Sequence, residues 1–298
     1  MTWSIADMPD QHGRVAVVTG ANGGLGLASA MALAGRGAHV VMAARNQEKA
    51  TGAREAILTA HPAASLEIVE LDLGSLASVE KAAGEIAAAH DRIDILMLNA
   101  GVMAMPEGTT VDGFERQLGI NVLGHWALTS HLLPTVVATA GARVITLSSM
   151  AQHQGSPLDV DNPHMHGRYD AWKQYGNTKL AARHFAQGLQ ARFEAAGVDA
   201  MALAAHPGLT NSDLQATTHE EGGAGFLGGF FHRLTSTVGM STERGALSQL
   251  RAATDPSASG GDYFGPLLVA TGPPVRKPLI RPGADAAIAA LWTVCERE

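Results

Sequence analysis

Cysteine is almost absent from this chain of 298 residues: Cys295 stands alone, so neither an internal disulfide nor a cysteine-built metal site is available. Basic charge is not in excess. The 21 Lys and Arg face 28 Asp and Glu, and a net charge of -7 offers no cationic stripe for a phosphate backbone, which argues against nucleic acid as a partner. Long apolar runs are missing too. No segment reaches the 18 or so apolar residues that spanning a bilayer requires, so no integral membrane segment is expected. The first twelve residues carry Asp7 and Asp10 and no apolar run, so the expectation is a cytoplasmic protein without a secretory leader. Aromatics are few as well, yet 46% of the chain is hydrophobic and 16% charged, a globular composition with an ample core.

What the chain does have is glycine, 34 of them, with Gly20, Gly23, Gly24 and Gly26 gathered where a strand turns into a helix. Residues 14–18 form a short β-branched run that reads as a buried parallel strand. The turn Thr19-Gly20-Ala21-Asn22-Gly23-Gly24-Leu25-Gly26 follows and opens into a helical pattern over 27–35. Gly20 allows the tight turn, Gly24 lets backbone approach a pyrophosphate, and Gly26 lets helix pack on strand, with the helix N-terminus facing the anion. A plain flexible turn is the alternative. A second strand over 38–43 ends at Ala44-Arg45. Ala44 cannot hold a ribose 2′-hydroxyl as an acidic residue would, whereas Arg45 can pair with a 2′-phosphate, so NADP(H) is expected over NAD(H). The alternative for Arg45 is decoration of the next helix, 47–60; Asn22 adds no charge, so Arg45 is expected to act largely alone.

Further strands are expected over 66–71, leading to Asp72-Leu73, over 93–98, delivering Asn99-Ala100-Gly101, over 143–147, ending in Ser148-Ser149, and over 199–205. A closing edge is expected over 263–270. Helical patterns cover 75–90, 113–139, 172–196, 242–254 and 284–294. Alternation of strand and helix implies one Rossmann-type, doubly wound α/β domain over 1–298, with about seven mainly parallel strands. Near the start of the 172–196 helix, Tyr175 and Lys179 sit four apart on one face, where the ammonium should pull the phenol toward neutrality.

Thr19-Gly20-x-x-x-Gly24-x-Gly26, Asn99-Ala100-Gly101, Asn121, Ser149, Tyr175-x-x-x-Lys179 and Pro207-Gly208 occur in the order of the short-chain dehydrogenase/reductase family, which the chain resembles over about 14–268. Tyr169-Asp170-Ala171-Trp172 and the run Tyr175-Gly176-Asn177-Thr178-Lys179-Leu180-Ala181 are most similar to its retinol-dehydrogenase-like and protochlorophyllide-reductase-like branches. The resemblance implies hydride transfer between NADP(H) and a ketone, aldehyde or alcohol. Ser149 would polarise the substrate oxygen, and Tyr175 would give or take its proton. Lys179 would tune Tyr175 and hold the nicotinamide ribose, while Asn121 would serve a water relay behind the lysine. Gly20, Asn22, Gly24, Leu25, Gly26, Arg45, Asp72, Leu73, Asn99, Ala100 and Gly101 would line the nucleotide, and Pro207, Gly208 and Thr210 would close over it. It also implies a homodimer or homotetramer. The loop 150–174 would form a substrate wall through Gln154 and Tyr169, and 211–240, with glycines flanking an apolar tip, a lid over a small apolar substrate.

No metal is expected. His153, His164 and His166 share one loop, but without carboxylate or cysteine support they read as surface residues. Two other functions stay open: reduction of a C=C bond on the same cofactor, and a scaffold that binds the nucleotide without turnover. Pigment-reducing relatives use a pocket cysteine, and Cys295, near the C-terminus, ranks the first of these below carbonyl reduction.

Overall fold

The computed structural model describes residues 2–210, 239–278 and 284–298. Its centre is a sheet of eight strands among the described residues: β1 (Val15–Thr19), β2 (His39–Ala44), β3 (Ser65–Glu70), β4 (Ile95–Leu98), β5 (Ala142–Leu147), β6 (Ala200–Ala205), β7 (Tyr263–Pro266) and β8 (Pro274–Lys277). The order is β3-β2-β1-β4-β5-β6-β7-β8, parallel throughout except for β8, which runs antiparallel to β7. This is a single Rossmann-type α/β domain. The expected closing edge over 263–270 divides differently: β7 is an inner strand, 267–270 is a turn, and the edge is β8.

Helices cover both faces: α1 (Gly24–Gly35), α2 (Gln47–Ala60), α3 (Leu76–Ala89), α4 (Arg116–Leu118), α5 (Gly124–Ala138), α6 (Ala171–Ala196), α7 (Thr242–Thr254) and α8 (Ala284–Arg297). Side chains alternate across a strand, and β1 distributes its residues accordingly. Val15 and Val17 join Val79, Ile86, Leu128 and Phe185 on the face of α3, α5 and α6. Ala16 and Val18 join Leu33, Ile57 and Leu250 on the face of α1, α2 and α7. Each fully buried valine of such a strand contributes about 1.5–3 kcal/mol, which is why the strands read as continuous apolar runs.

Asn46, Ser75, Asp170 and Ser241 cap α2, α3, α6 and α7 by accepting the N–H three residues on. Between α4 and α5 the chain makes a π-helical stretch, Gly119–Leu123, in which Gly124 N–H donates to Gly119 C=O. The helical pattern expected over 113–139, interrupted only at Pro134, starts at Arg116, carries a widened turn at Asn121 and runs through Pro134 within α5. Strand order reverses between β1 and β4, and the crevice at their carboxyl ends is where such sheets bind ligands.

Candidate active site

Thr19 ties the crevice together from the end of β1. Its hydroxyl accepts the N–H groups of Asn99 and Ala100, both at 2.9 Å. Asn99 Nδ2 returns a bond to Thr19 C=O at 2.8 Å, and Asn99 Oδ1 accepts from Gln249 of α7 at 3.2 Å. The end of β4 is thus fastened to the glycine turn before any ligand arrives. Gly20 has φ +69° and Gly24 φ +50°, left-handed conformations that suit glycine. A Cβ on Gly26 would lie 2.1 Å from Gly20 C=O and 2.6 Å from Asn99 Nδ2, so no side chain fits there.

A cavity of about 640 Å³ opens over this floor. Gly20, Asn22, Gly24, Leu25 and Gly26 line it from the turn, Arg45 from the end of β2, and Asp72 and Leu73 from the end of β3. Asn99, Ala100 and Gly101 line it from β4, Ser149 from β5, Tyr175 and Lys179 from α6, and Pro207, Gly208 and Thr210 from the segment after β6. Gln154 also lies on this wall. Tyr169 is not part of this lining: its hydroxyl donates to Met105 C=O at 2.8 Å and accepts from Gln117 Nε2 at 2.9 Å, so it braces the loop. Asp72 lines the cavity while its Oδ1 accepts Gly74 N–H at 2.8 Å, and helix entry falls to Ser75. The lid expected over 211–240 falls almost wholly outside the described residues; its two ends meet where Thr210 bridges Met240.

Arg45 is not the only cation there. Lys49, in the first turn of α2, lines the same cavity, and Asn46 Oδ1 fixes that turn by accepting Lys49 N–H at 2.8 Å. The sequence pattern offered a signal, since position 49 lies one helical turn beyond the strand end, but only the cavity shows that both residues border one space.

Ser148 and Ser149 both border the cavity but are held differently. Ser148 is buried and its hydroxyl donates to Lys179 C=O at 2.7 Å, which pins β5 to α6. Ser149 stands at the cavity with Tyr175, and its hydroxyl accepts Ala151 N–H at 3.3 Å. Close backbone packing sets that pair: a Cβ on Gly155 would lie 2.3 Å from Gly176 C=O, so the turn after Ser149 rests directly on α6. The charge state of the tyrosine differs from the sequence expectation. Burial pushes the Tyr175 phenol up to about 12, with the Ser149 hydroxyl pulling the other way. Lys179 stands 5.7 Å from the centre of the Tyr175 ring and donates to Leu147 C=O at 3.1 Å, and burial lowers its ammonium to about 8. The i,i+4 spacing brings the two together, but burial of the phenol raises its pKa where the sequence pattern predicts a lower one.

Asn121 lies behind this wall and does not line the cavity. Its Oδ1 accepts Val102 N–H at 2.8 Å, and its Nδ2 donates to Val102 C=O at 2.9 Å and to Thr178 Oγ1 at 3.0 Å. A Cβ on Gly101 would come within 2.9 Å of that Oδ1. His125, which sequence reasoning passed over, joins the halves of the site: its Nε2 is 3.0 Å from Thr19 Oγ1 and its Nδ1 3.3 Å from Asn121 C=O. The Asn121 carbonyl can only accept, so the ring carries its proton on Nδ1 and leaves Nε2 as an acceptor facing the Thr19 hydroxyl, which also has Met97 C=O within 3.4 Å. Burial lowers this imidazole to about 4, and it is neutral at physiological pH.

Residues 14–222 match the short chain dehydrogenase family. The chain belongs to it. Retinol dehydrogenase 13 of Mus musculus is 37% identical over 258 residues, covering 85% of this chain and 75% of the relative. A polyprenol dehydrogenase of Mus musculus is 38% identical over 213 residues, covering 70% and 63%. Among solved structures, an uncharacterized protein from Mycobacterium Paratuberculosis superposes with a TM-score of 0.81 at 36% identity, covering all of this chain and 97% of its own. An NAD(P) dependent gluconate 5-dehydrogenase from Beutenbergia cavernae, solved with bound NADP, shares the fold with a TM-score of 0.66 at 24% identity, covering 86% and 96%. The chain is therefore an oxidoreductase of a family that binds NAD(P), in its retinol-dehydrogenase-like branch. The residues present fit that group: Gly26, where a Cβ would strike Gly20 C=O, lets α1 pack tightly on the turn, and α1 begins at Gly24 with its N-terminus at the cavity floor. Among the described residues, no helix is long and apolar enough to cross a membrane.

Proposed function

We propose that this enzyme uses NADP(H) to interconvert an apolar aldehyde or ketone and its alcohol. The observation that carries the reading is the placing of two hydroxyls, Ser149 and Tyr175, on the wall of the cavity that Arg45 and Lys49 also border. The nicotinamide supplies the hydride. Ser149 donates a hydrogen bond to the substrate oxygen and orients the carbonyl. Tyr175, fully protonated through neutral pH, gives that oxygen its proton during reduction. In the reverse direction the phenol must first lose its proton, so oxidation gains with rising pH while reduction does not. Lys179 holds positive charge beside the ring and orders the α6 end of the wall. Asn121 and His125 keep Gly101, Val102 and the glycine turn in register with it.

Met103, Met105, Met150 and Trp172 give the cavity a soft apolar wall, which suits an extended hydrocarbon substrate. Relatives named for retinol and polyprenol support the same class. Carbonyl chemistry ranks above C=C reduction because Cys295, the sole thiol, packs in the core beside Leu291 and Trp292, away from the cavity lining. Turnover of NADPH against a panel of apolar aldehydes, retinal among them, tests the proposal, with Tyr175→Phe as control. The variant should bind nucleotide normally and lose about 100-fold or more in kcat, the usual worth of a positioned proton donor. Undiminished turnover in Tyr175→Phe would overturn the assignment.

A further inference from the structure

Two histidines and a glutamate converge outside the cavity, on the face of the sheet covered by α3. His39 opens β2, Glu67 lies in β3, and His90 caps the C-terminus of α3. The register explains the meeting: His39 pairs with Ser65 across the parallel ladder, and residues 65 and 67 point to the same face. The three residues are 28 and 23 positions apart in the chain (39 to 67, 67 to 90), so no short motif announces them.

Glu67 offers one oxygen to each ring. His90 Nε2 lies 3.3 Å from Oε1 and His39 Nε2 lies 3.6 Å from Oε2, with the two rings 5.0 Å apart. One ligand atom from each residue can be chosen so that all three lie within 4.8 Å of one another. Both Nε2 atoms are closed to solvent, yet neither makes a hydrogen bond. A plain imidazole–carboxylate pair would close to about 2.7–2.9 Å. The wider separations leave room for an ion between the rings and the carboxylate, since tetrahedral zinc with bonds near 2.0–2.1 Å holds its donors about 3.3 Å apart. The remaining nitrogen of His39 is already engaged, with Nδ1 2.7 Å from Ser65 Oγ. A proton on Nδ1 donated to that hydroxyl leaves the Nε2 lone pair directed at Glu67, the arrangement a metal-binding histidine needs.

We propose that His39, Glu67 and His90 form a zinc site that clamps β2, β3 and the end of α3, with water completing the coordination on the solvent side. Two imidazoles and one carboxylate suit zinc and disfavour magnesium and calcium, which take all-oxygen sets. The site is separate from the reacting centre, so its role is to hold the nucleotide half of the sheet, and it does not depend on the proposed reaction.

Zinc titrated into the full chain after stripping with chelator, followed by calorimetry and thermal unfolding, tests this. The expected result is one saturable zinc per chain and a Tm raised by about 4 °C at hundredfold excess over Kd. Magnesium should raise nothing. His39→Gln, Glu67→Gln and His90→Gln should each weaken zinc by at least about tenfold, and Ser65→Ala, which removes only the supporting hydroxyl, by on the order of tenfold. Cobalt(II) in place of zinc gives an intense visible band for a tetrahedral site and needs no variant to fold. Absence of saturable zinc binding, zinc affinity unchanged across all four variants, or a cobalt spectrum like that of the free hexaaqua ion would each overturn the proposal.

Discussion

The proposed preference for NADP(H) rests on two cations, and the structure bounds what each would contribute. Arg45 follows β2 and Lys49 lies one helical turn on; both are exposed and both border the cavity. A unit-charge pair at 4 Å gains about 1 kcal/mol in water and about 4 kcal/mol near a protein surface. Exposure places these side chains toward the lower end, so removing either should cost NADPH about 1–2 kcal/mol, or roughly 5–30-fold in Kd. Lys49 also belongs to the first turn of α2, whose N-terminus favours an anion on its own account, so part of the attraction survives both substitutions. Fluorescence titration of Arg45→Ala, Lys49→Ala and the double variant with NADPH and NADH reads the effect. The double variant should lose about 30–300-fold for NADPH, slightly less than the product of the singles if both cations meet one phosphate. NADH, lacking the 2′-phosphate, should be nearly unaffected, and the NADPH preference should shrink as salt rises. Equal losses for both nucleotides would show that the cations serve the pyrophosphate or the fold, and would refute the reasoning.

Other consequences follow from packing and burial. Gly155→Ala drives a Cβ to within 2.3 Å of Gly176 C=O, so the turn after Ser149 must retreat from α6. Because a displacement of 1 Å can cost on the order of 100-fold in rate, kcat should fall at least tenfold while the Kd for NADPH holds; steady-state kinetics beside a binding titration separate the two, and unchanged kcat would show that the placing of Ser149 and Tyr175 is not set there. Acid sensitivity comes from His125 and His206, which burial lowers from 6.5 to about 4. Between those values the unfolded chain binds protons that the folded chain refuses, so stability is full above pH 6.5 and falls as pH drops toward 4, by on the order of 3 kcal/mol per histidine. Urea unfolding at stepped pH should show that slope, and His125→Asn should flatten it; a wild-type curve level from pH 6.5 to 4 would contradict the neutral, buried state of both rings.

The fold could be read from the sequence wherever one local pattern decided it. Helices over Gln47–Ala60 and Thr242–Thr254 appear with the expected bounds because Asn46 and Ser241 cap them and Pro62 and Pro256 stop them. The parallel strands were legible as buried β-branched or alanine-rich runs, but β8 was not, since its Pro274 and charged Arg276 and Lys277 carry no apolar signal. What escaped the sequence depends on contacts between distant segments. Periodicity cannot distinguish a π turn from an α turn, so Asn121 looked like an ordinary mid-helix asparagine, when the widened turn is what aims its amide at Val102 and Thr178. Spacing put Lys179 beside Tyr175 but carried no measure of the loss of water around both groups, and the phenol moves up as a result of that burial. Tyr169 sits in a loop whose sequence suggests a substrate wall, yet its hydroxyl is taken by Met105 and Gln117, and no pattern short of the folded chain could reveal that. His125 carries the same lesson furthest. Nothing in its neighbours marks it, but one neutral ring between Thr19 and Asn121 couples the floor of the nucleotide turn to the wall that holds Lys179, so the two halves of the site cannot shift independently.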